Sequence, residues 1–467
     1  MRRILFLSAY LFLVVVVSAQ VKLQNLLTEN LSNPIGIDVM PRFSWQLVSD
    51  QRNVLQTAYE ITVNQGKSSV WKSGKVQSDQ SVHVPYAGSA LQSGKKYTWQ
   101  VRVWDNKGKA SPWSATASFQ MAFLNPAEWK AKWIEADFVE DSVNRPAQYF
   151  RKQFSTNKKI ASATAYITAH GLYEAQINGK RVGDYYLTPG WTSYNKRLQY
   201  QVYDVTNLLQ SGSNAIGVVT GNGWYRGFIA WSGNKNAYGK TTGVLFQLDI
   251  TYADGSRESL ISDNTWKSST GSIRYSEIYH GETIDAREEK AGWSTPGYND
   301  AGWSGVKTQD YPNNVLVATY NEPVKKQESF KPVKVFTTPK GEKVIDFGQN
   351  LVGWVVVKAN GKAGDKIIIK HAEVLDKQGN FYIENLRAAN ATATYYLSGK
   401  GEDAFEPHFT FYGFRYIKIE GVNDIRPENF TAVALYSDMN PTGTFTSSHP
   451  LLNQLQHNIQ WGQKGNF

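Results

Sequence analysis

Cysteine is absent: the count is 0 in 467 residues. No disulfide can hold any part of the chain, and no lipid can be attached through a cysteine. Each domain must therefore be large enough to stand on its own hydrophobic core. Long apolar runs are also absent, save one at the start. Arg2 and Arg3 precede an apolar stretch from Ile4 to Val17, and Val17-Ser18-Ala19 supplies small residues ahead of Gln20. Charge, length and ending predict a secretory signal peptide over residues 1–19. A membrane anchor is the alternative, but the run is shorter than the ~20 apolar residues a span needs. The expectation is an exported protein, periplasmic or extracellular, with no membrane span.

Blocks of like charge are missing too. The formal net charge is +10, yet Lys and Arg are scattered along the chain. Nucleic-acid binding asks for basic residues clustered on one face, so nucleic acid is not an expected partner. Aromatic residues are plentiful, with 15 Trp and 26 Tyr. β cores use such residues, and sugar-binding proteins use them as well, because the apolar face of a pyranose stacks on an aromatic ring.

A length of 467 residues suggests about three domains. From Val21 to about Tyr436 the chain reads as β. Segments such as Tyr59–Val63, Tyr97–Val103 and Lys366–Lys370 combine β-branched and aromatic residues, and Asp105–Gly108, Asp254-Gly255 and Asn360-Gly361 mark turns between strands. The spacing predicts three sandwich-like units. The first, 21–123, holds an early Trp45 and a Tyr97 placed after a glycine turn, where its hydroxyl can bond back to the backbone. It resembles a fibronectin type III domain and reads as a spacer. The second, 127–312, is the richest. Ala169–Asp184 is a hairpin joined at Asn178-Gly179, a strong turn signal. Gly221-Asn-Gly-Trp-Tyr-Arg-Gly227 places three glycines around Asn222, Trp224 and Tyr225. Such glycines let the backbone fold tightly and let a ligand approach. The third unit, 332–436, carries Asp346–Trp354, His371-Ala-Glu373, Leu386-Arg387 and Phe409–Tyr416. Residues 447–467 then switch to a helical pattern, with Leu451, Leu452, Leu455, Ile459 and Trp461 on one apolar stripe. That stripe needs a partner, and the expectation is a helical domain that begins here and is cut short.

These motifs, in this order, resemble bacterial α-L-rhamnosidases of glycoside hydrolase family 78. The fold implied is all-β: three consecutive β-sandwich domains, the first fibronectin type III-like and the next two jelly-roll-like. The segment 447–467 then resembles the first helix of the family's catalytic α/α barrel. The activity implied is hydrolysis of terminal α-L-rhamnose from glycosides and polysaccharides with inversion. Inversion asks for two carboxyl groups about 6.5–9.5 Å apart, one giving a proton to the leaving oxygen and one activating water. In the family these sit in the barrel, so no residue here is a candidate catalytic group and the chain is expected to be inactive alone.

The resemblance also implies a non-catalytic role for the second unit, a module that holds rhamnose through a calcium ion. Calcium takes several oxygen ligands, including carboxamide and backbone oxygens. On that reading Asn178 and Asn222 are the candidate metal ligands, and Trp191, Trp224 and Tyr225 the candidate sugar contacts. The competing reading is that the asparagines only make turns and the aromatics only fill the core; no Asp-rich calcium loop is present. Glu282 and Asp285 form the best acidic cluster. Arg287 would favour their charged forms, which suits hydrogen bonding or domain docking better than proton donation. His371 and Glu373 share a strand face but need further ligands to hold a metal. The function expected is the non-catalytic N-terminal part of an exported α-L-rhamnosidase. A stand-alone calcium-dependent rhamnose-binding module and an inert scaffold are the alternatives.

Overall fold

The computed structural model describes residues 21–229, 233–421 and 425–467. The signal peptide expected over 1–19 lies outside the described residues. The chain divides into two compact units, one ending at Ala122 and the other running from Phe123 to Phe467.

The first unit is built from a three-stranded and a six-stranded sheet. Its central strand, Lys96–Asp105, alternates strictly: Tyr97, Trp99, Val101 and Val103 are buried, while the residues between them are partly exposed. This period of two is what a strand with one face on a core requires. Trp45 is buried and donates its indole N–H to Gln56 Oε1 at 3.0 Å. The Tyr97 hydroxyl accepts the backbone N–H of Gln92 at 2.9 Å, the corner bond expected from its place after a glycine turn. Asp105 closes the next turn by accepting the N–H groups of Lys107 and Lys109.

The second unit holds two sandwiches. In the first of them, a seven-stranded sheet faces a five-stranded one. Ile167, Phe246, Leu248, Ile216 and Val218 fill the space between, all essentially inaccessible to solvent. In the other, ten strands form one sheet arranged around the long strand Lys343–Ala359. That strand breaks register between Asp346 and Leu351, where Gly348 takes a φ of 78°. Asp346 there receives two hydrogen bonds from Arg415, each 2.8 Å. This joins the two longest motifs of the third predicted unit.

Two segments cross the predicted boundaries. The strands Ile273–Glu277 and Gly281–Asp285 fall within the expected second sandwich. They belong instead to the ten-stranded sheet, because Gly281–Asp285 pairs in parallel with Thr392–Tyr396. Conversely, Val324–Phe330 lies ahead of the expected third unit yet pairs with Phe430–Ser437 of the same sheet. Pairing partners about a hundred residues apart leave no local trace in the sequence. One core, running from Tyr149, Leu172 and Val219 to Trp354, Ile369 and Phe414, serves both sandwiches.

The helix Pro450–Lys464 forms as the periodicity predicts, with Pro450 in its first turn. Trp461 packs edge-on against Phe330 at 5.5 Å, and Lys464 reaches Glu328 at 2.6 Å. Only this end is docked, since Leu451, Leu452, Leu455 and Ile459 remain exposed.

Candidate sugar-binding site

The site is built on the turn after the strand Gly212–Gly221. A single helical turn, Gly223–Arg226, follows. Its glycines are sterically required. A Cβ on Gly221 would meet the Phe409 ring at 2.5 Å, and one on Gly227 would meet Gly223 O at 2.4 Å. Gly223 has a φ of 52°.

A buried polar chain anchors the turn. The Arg226 guanidinium, 1% exposed, donates to both oxygens of Glu140 at 2.7 and 2.9 Å. Its Nε donates to Asn222 Oδ1 at 2.6 Å. Asn222 Nδ2 donates in turn to Glu277 Oε1 at 2.7 Å, and Glu277 Oε2 accepts the N–H of Phe228 at 2.9 Å. Burial raises the pKa of Glu277. A bidentate arginine–carboxylate pair of this kind is both strong and directional.

Successive residues of a helical turn point about 100° apart, so Trp224 and Tyr225 diverge. Trp224 is partly buried at the edge of the core and stacks parallel to Trp191, with ring centroids 6.0 Å apart and planes within 6°. Trp191 is 49% exposed. Each indole is steered by a phenol, Trp191 Nε1 donating to Tyr238 and Trp224 Nε1 to Tyr279, both at 3.3 Å. Tyr225 turns inward. It is 6% exposed and stacks on His170 at 4.5 Å, which stacks on Trp133 at 4.0 Å. Of the three expected sugar contacts, Trp191 is exposed, Trp224 stacks beside it partly buried, and Tyr225 is a core residue. The intervening burial holds His170 neutral, its pKa pushed down to about 3.

The two expected calcium ligands do not come together. Asn178 sits in its hairpin turn with a φ of 53°, accepts the N–H of Ala215 on Oδ1, and donates to Leu208 O and Asn214 Oδ1. Asn222 has its Oδ1 on a guanidinium. The strands carrying them pair from Leu172↔Gly221 to Ile177↔Ile216, a stretch of about 17 Å, and the two asparagines lie beyond its opposite ends. A calcium ion needs six to eight oxygens at about 2.3–2.6 Å. Oxygens that already accept N–H hydrogen bonds, this far from each other, do not fit one. Asn178 is a turn former, and Asn222 is a link in the Arg226 chain.

Glu282 and Asp285 also part company. Arg287 pairs with Asp285 alone, at 2.6 Å, and the Arg287 side chain holds that carboxyl below its usual range. Glu282 is buried between the sandwiches and accepts the N–H groups of His408 and Phe409 at 2.9 and 3.0 Å. Burial pushes its pKa up to about 7. Beside it, Glu174 binds Arg181 at 2.7 Å and His408 at 3.0 Å. Burial alone would raise the Glu174 pKa, but these two cations hold it down to about 2. Burial would lower that of His408, and Glu174 instead raises it to about 9. The cluster ties one sandwich to the other through Glu282, whereas Asp285 stays with Arg287; the raised Glu282 pKa runs against the charged form expected for both carboxyls. His371 is buried, hydrogen-bonded to Ala391 O, and stacked on Tyr412 at 3.7 Å. Glu373 instead takes the amides of Asn350 and Asn385. Among the described residues no group of three or more His, Asp or Glu side chains converges as a metal site would need.

Sequence reasoning missed Glu140, Arg226, Glu277 and His408. Arg226 lies within the glycine-rich motif, but a guanidinium buried by a partner 86 residues away leaves no local signal.

The fold defines a class, a string of β modules, one of which carries a stacked indole pair with Trp191 exposed. Three families match the chain in order. Residues 23–125 match the Rha78A-like N-terminal immunoglobulin domain, a sandwich of the same broad kind as the expected fibronectin type III fold. Residues 158–328 match the α-L-rhamnosidase N-terminal domain, and 336–436 the bacterial α-L-rhamnosidase concanavalin-like domain. The chain belongs, as an N-terminal part, to the α-L-rhamnosidases of glycoside hydrolase family 78. An α-L-rhamnosidase of Formosa agariphila is 38% identical over 460 residues, covering 94% of this chain and 50% of that protein. The crystal structure of the Aspergillus terreus α-L-rhamnosidase superimposes with a TM-score of 0.91 at 40% identity, covering 96% of this chain and 52% of that one. The Streptomyces avermitilis enzyme, solved with L-rhamnose, gives 0.90 at 30% identity, covering 96% of this chain and 60% of that one. The chain thus spans about half the length of the relatives it matches.

Proposed function

We propose that this chain is the sugar-holding, non-catalytic N-terminal part of an exported α-L-rhamnosidase. The whole enzyme would remove terminal α-L-rhamnose from glycosides or polysaccharides with inversion, using two carboxyl groups supplied by a helical domain that the segment 447–467 begins. Export rests on the N-terminal charge and apolar pattern alone. No helix among the described residues is long and apolar enough to cross a membrane.

The observation that carries the sugar-holding role is the parallel Trp191–Trp224 pair, held open by Tyr238 and Tyr279. An indole face matches the apolar C–H face of a deoxy-pyranose, and a preformed pair needs little ordering on binding. The acidic groups nearest to it are bound to arginine, asparagine or backbone N–H, which supports structural duty rather than proton transfer.

The test is calorimetric titration of L-rhamnose onto the 467-residue chain. Binding is expected, with loss of at least tenfold in Trp191→Ala. Asn178 and Asn222 are engaged by protein hydrogen bonds and supply no calcium site in this reading, so affinity should be unchanged by a chelator. Absence of binding with or without calcium would leave the scaffold reading. Release of rhamnose from an aryl rhamnoside by the purified chain would overturn the non-catalytic assignment.

A further inference from the structure

Two buried glutamines fasten surface loops. The strand Leu198–Asp204 carries Gln199 and Gln201, both buried. Gln201 Nε2 donates to Thr319 Oγ1 at 2.8 Å and to Pro189 O at 3.4 Å, and its Oε1 accepts the Tyr173 hydroxyl at 2.7 Å. Gln199 Nε2 donates to Asn321 Oδ1 at 2.8 Å. The loops that hold Pro189 and Thr319 are therefore fixed to one strand and to each other. Each presents an exposed aromatic ring. Trp191 follows Pro189 closely, and Tyr320, 56% exposed, is next to Thr319. A lone exposed ring is ordinary, but rings grouped on loops fixed together mark a binding surface.

A second link joins the same loops. The Thr192 hydroxyl donates to Arg197 O, and Arg197 Nη1 donates to the Tyr320 hydroxyl at 2.9 Å. The guanidinium lies 5.6 Å from the Tyr320 ring centroid, well beyond the about 3.5–4.0 Å of direct contact between stacked atoms. It sits at the hydroxyl end of the ring and does not cover its face. A guanidinium also has N–H donors beyond the one that this bond uses. An open phenol face with a fixed donor group at its edge is thus held on the loop beside the indole pair.

We propose that Tyr320 and Arg197 form a second sugar subsite beside Trp191, so that this surface takes a glycan longer than one pyranose. One ring lies on the indole pair. Its neighbour sets its C–H face on Tyr320, and its hydroxyl oxygens accept N–H groups of Arg197. The subsite rests on the sugar-holding function proposed above and adds ligand length to it. The loops are already ordered by Gln199 and Gln201, so binding needs little further ordering of the protein.

The experiment titrates L-rhamnose and its α-1,2- and α-1,3-linked disaccharides calorimetrically onto the 467-residue chain. At least one disaccharide should bind about tenfold more tightly than the monosaccharide, because its second ring docks while the first tethers it. Tyr320→Ala should abolish that gain and leave L-rhamnose affinity and the melting temperature unchanged. Tyr320→Phe keeps the ring and should keep most of the gain, whereas Arg197→Ala removes the donors and should reduce it. Equal affinity for the monosaccharide and both disaccharides, or an undiminished gain in Tyr320→Ala, would overturn the subsite while the L-rhamnose site stands. Failure of all three sugars to bind would instead overturn the sugar-holding function, and the subsite with it.

Discussion

The first unit and the glycine-rich turn of the second use the same residues in opposite ways. Gly66, Gly74 and Gly108 of the first unit have φ between 59° and 76°, and a Cβ on any of them would meet nothing. They are there for backbone conformation alone. Gly221 and Gly227 have no room for a Cβ. Charge follows the same division. Arg42 and Arg102 of the first unit pair with Glu29 and Glu60 while partly exposed to water, whereas Arg226 is sealed in. Exposed pairs contribute little to stability. A buried pair is costly to assemble and costlier to break, but it fixes geometry. The turn that presents Trp224 is therefore held rigid by its surroundings, while the first unit is stabilised by an ordinary apolar core.

The sharpest way to break this comparison is Glu140→Ala. It leaves the Arg226 guanidinium buried without a counter-charge, and should cost about 3 kcal/mol in urea unfolding of the second unit. The matching Glu60→Ala in the first unit should cost under about 1 kcal/mol. Equal costs would show that the buried and the exposed pairs hold their units alike. Glycine substitutions give the next effect. Gly221→Ala forces a methyl into the Phe409 ring and should cost about 1–3 kcal/mol, with weakened rhamnose binding. Gly108→Ala should cost only about 1 kcal/mol, the left-handed backbone penalty, and leave binding untouched.

The seam between the sandwiches adds a pH dependence to the second unit. His408 has a folded pKa raised to about 9 and Glu282 one raised to about 7. Both bind protons more tightly folded than unfolded, so their stabilisation is lost as pH rises from about 4.5 to 9. Glu174, held down to about 2, acts in the opposite sense and loses its contribution only below pH 4.5. The His408 side chain is 38% exposed, so solvent screens part of its pairing. The second unit should unfold at lower urea at pH 9 than at pH 5.5, and His408→Gln should flatten the limb above pH 6.5. A pH-independent midpoint over that range would show that the cluster does not couple the sandwiches.

Much of the fold is legible without coordinates. The alternation in Lys96–Asp105, the Asn178-Gly179 turn, the corner bond of Tyr97 and the helix at 450–464 all follow from local periodicity and turn chemistry. The candidate site is only half legible. Glycines around Trp224 announce a tight turn with an aromatic on it, but not that its neighbour Tyr225 faces the core, nor that Trp191 lies parallel 6.0 Å away. Nor does the sequence show that Asn178 and Asn222 lie beyond opposite ends of the paired strands Leu172–Ile177 and Gly212–Gly221, too far apart to share one ion.

The sequence by itself determined the β class of this protein, its sandwich-by-sandwich order and its family, because strands, turns and long motifs are written in neighbouring residues. Tertiary structure decided which side chains share a site. Glu140 reaches Arg226, His408 reaches Glu174, and Arg197 reaches Tyr320 only after sheets from distant segments have paired. The physical reason is range. Backbone conformation is set over a few residues, whereas a buried charge or a binding surface is defined by whatever the folded chain brings within a few ångströms of it.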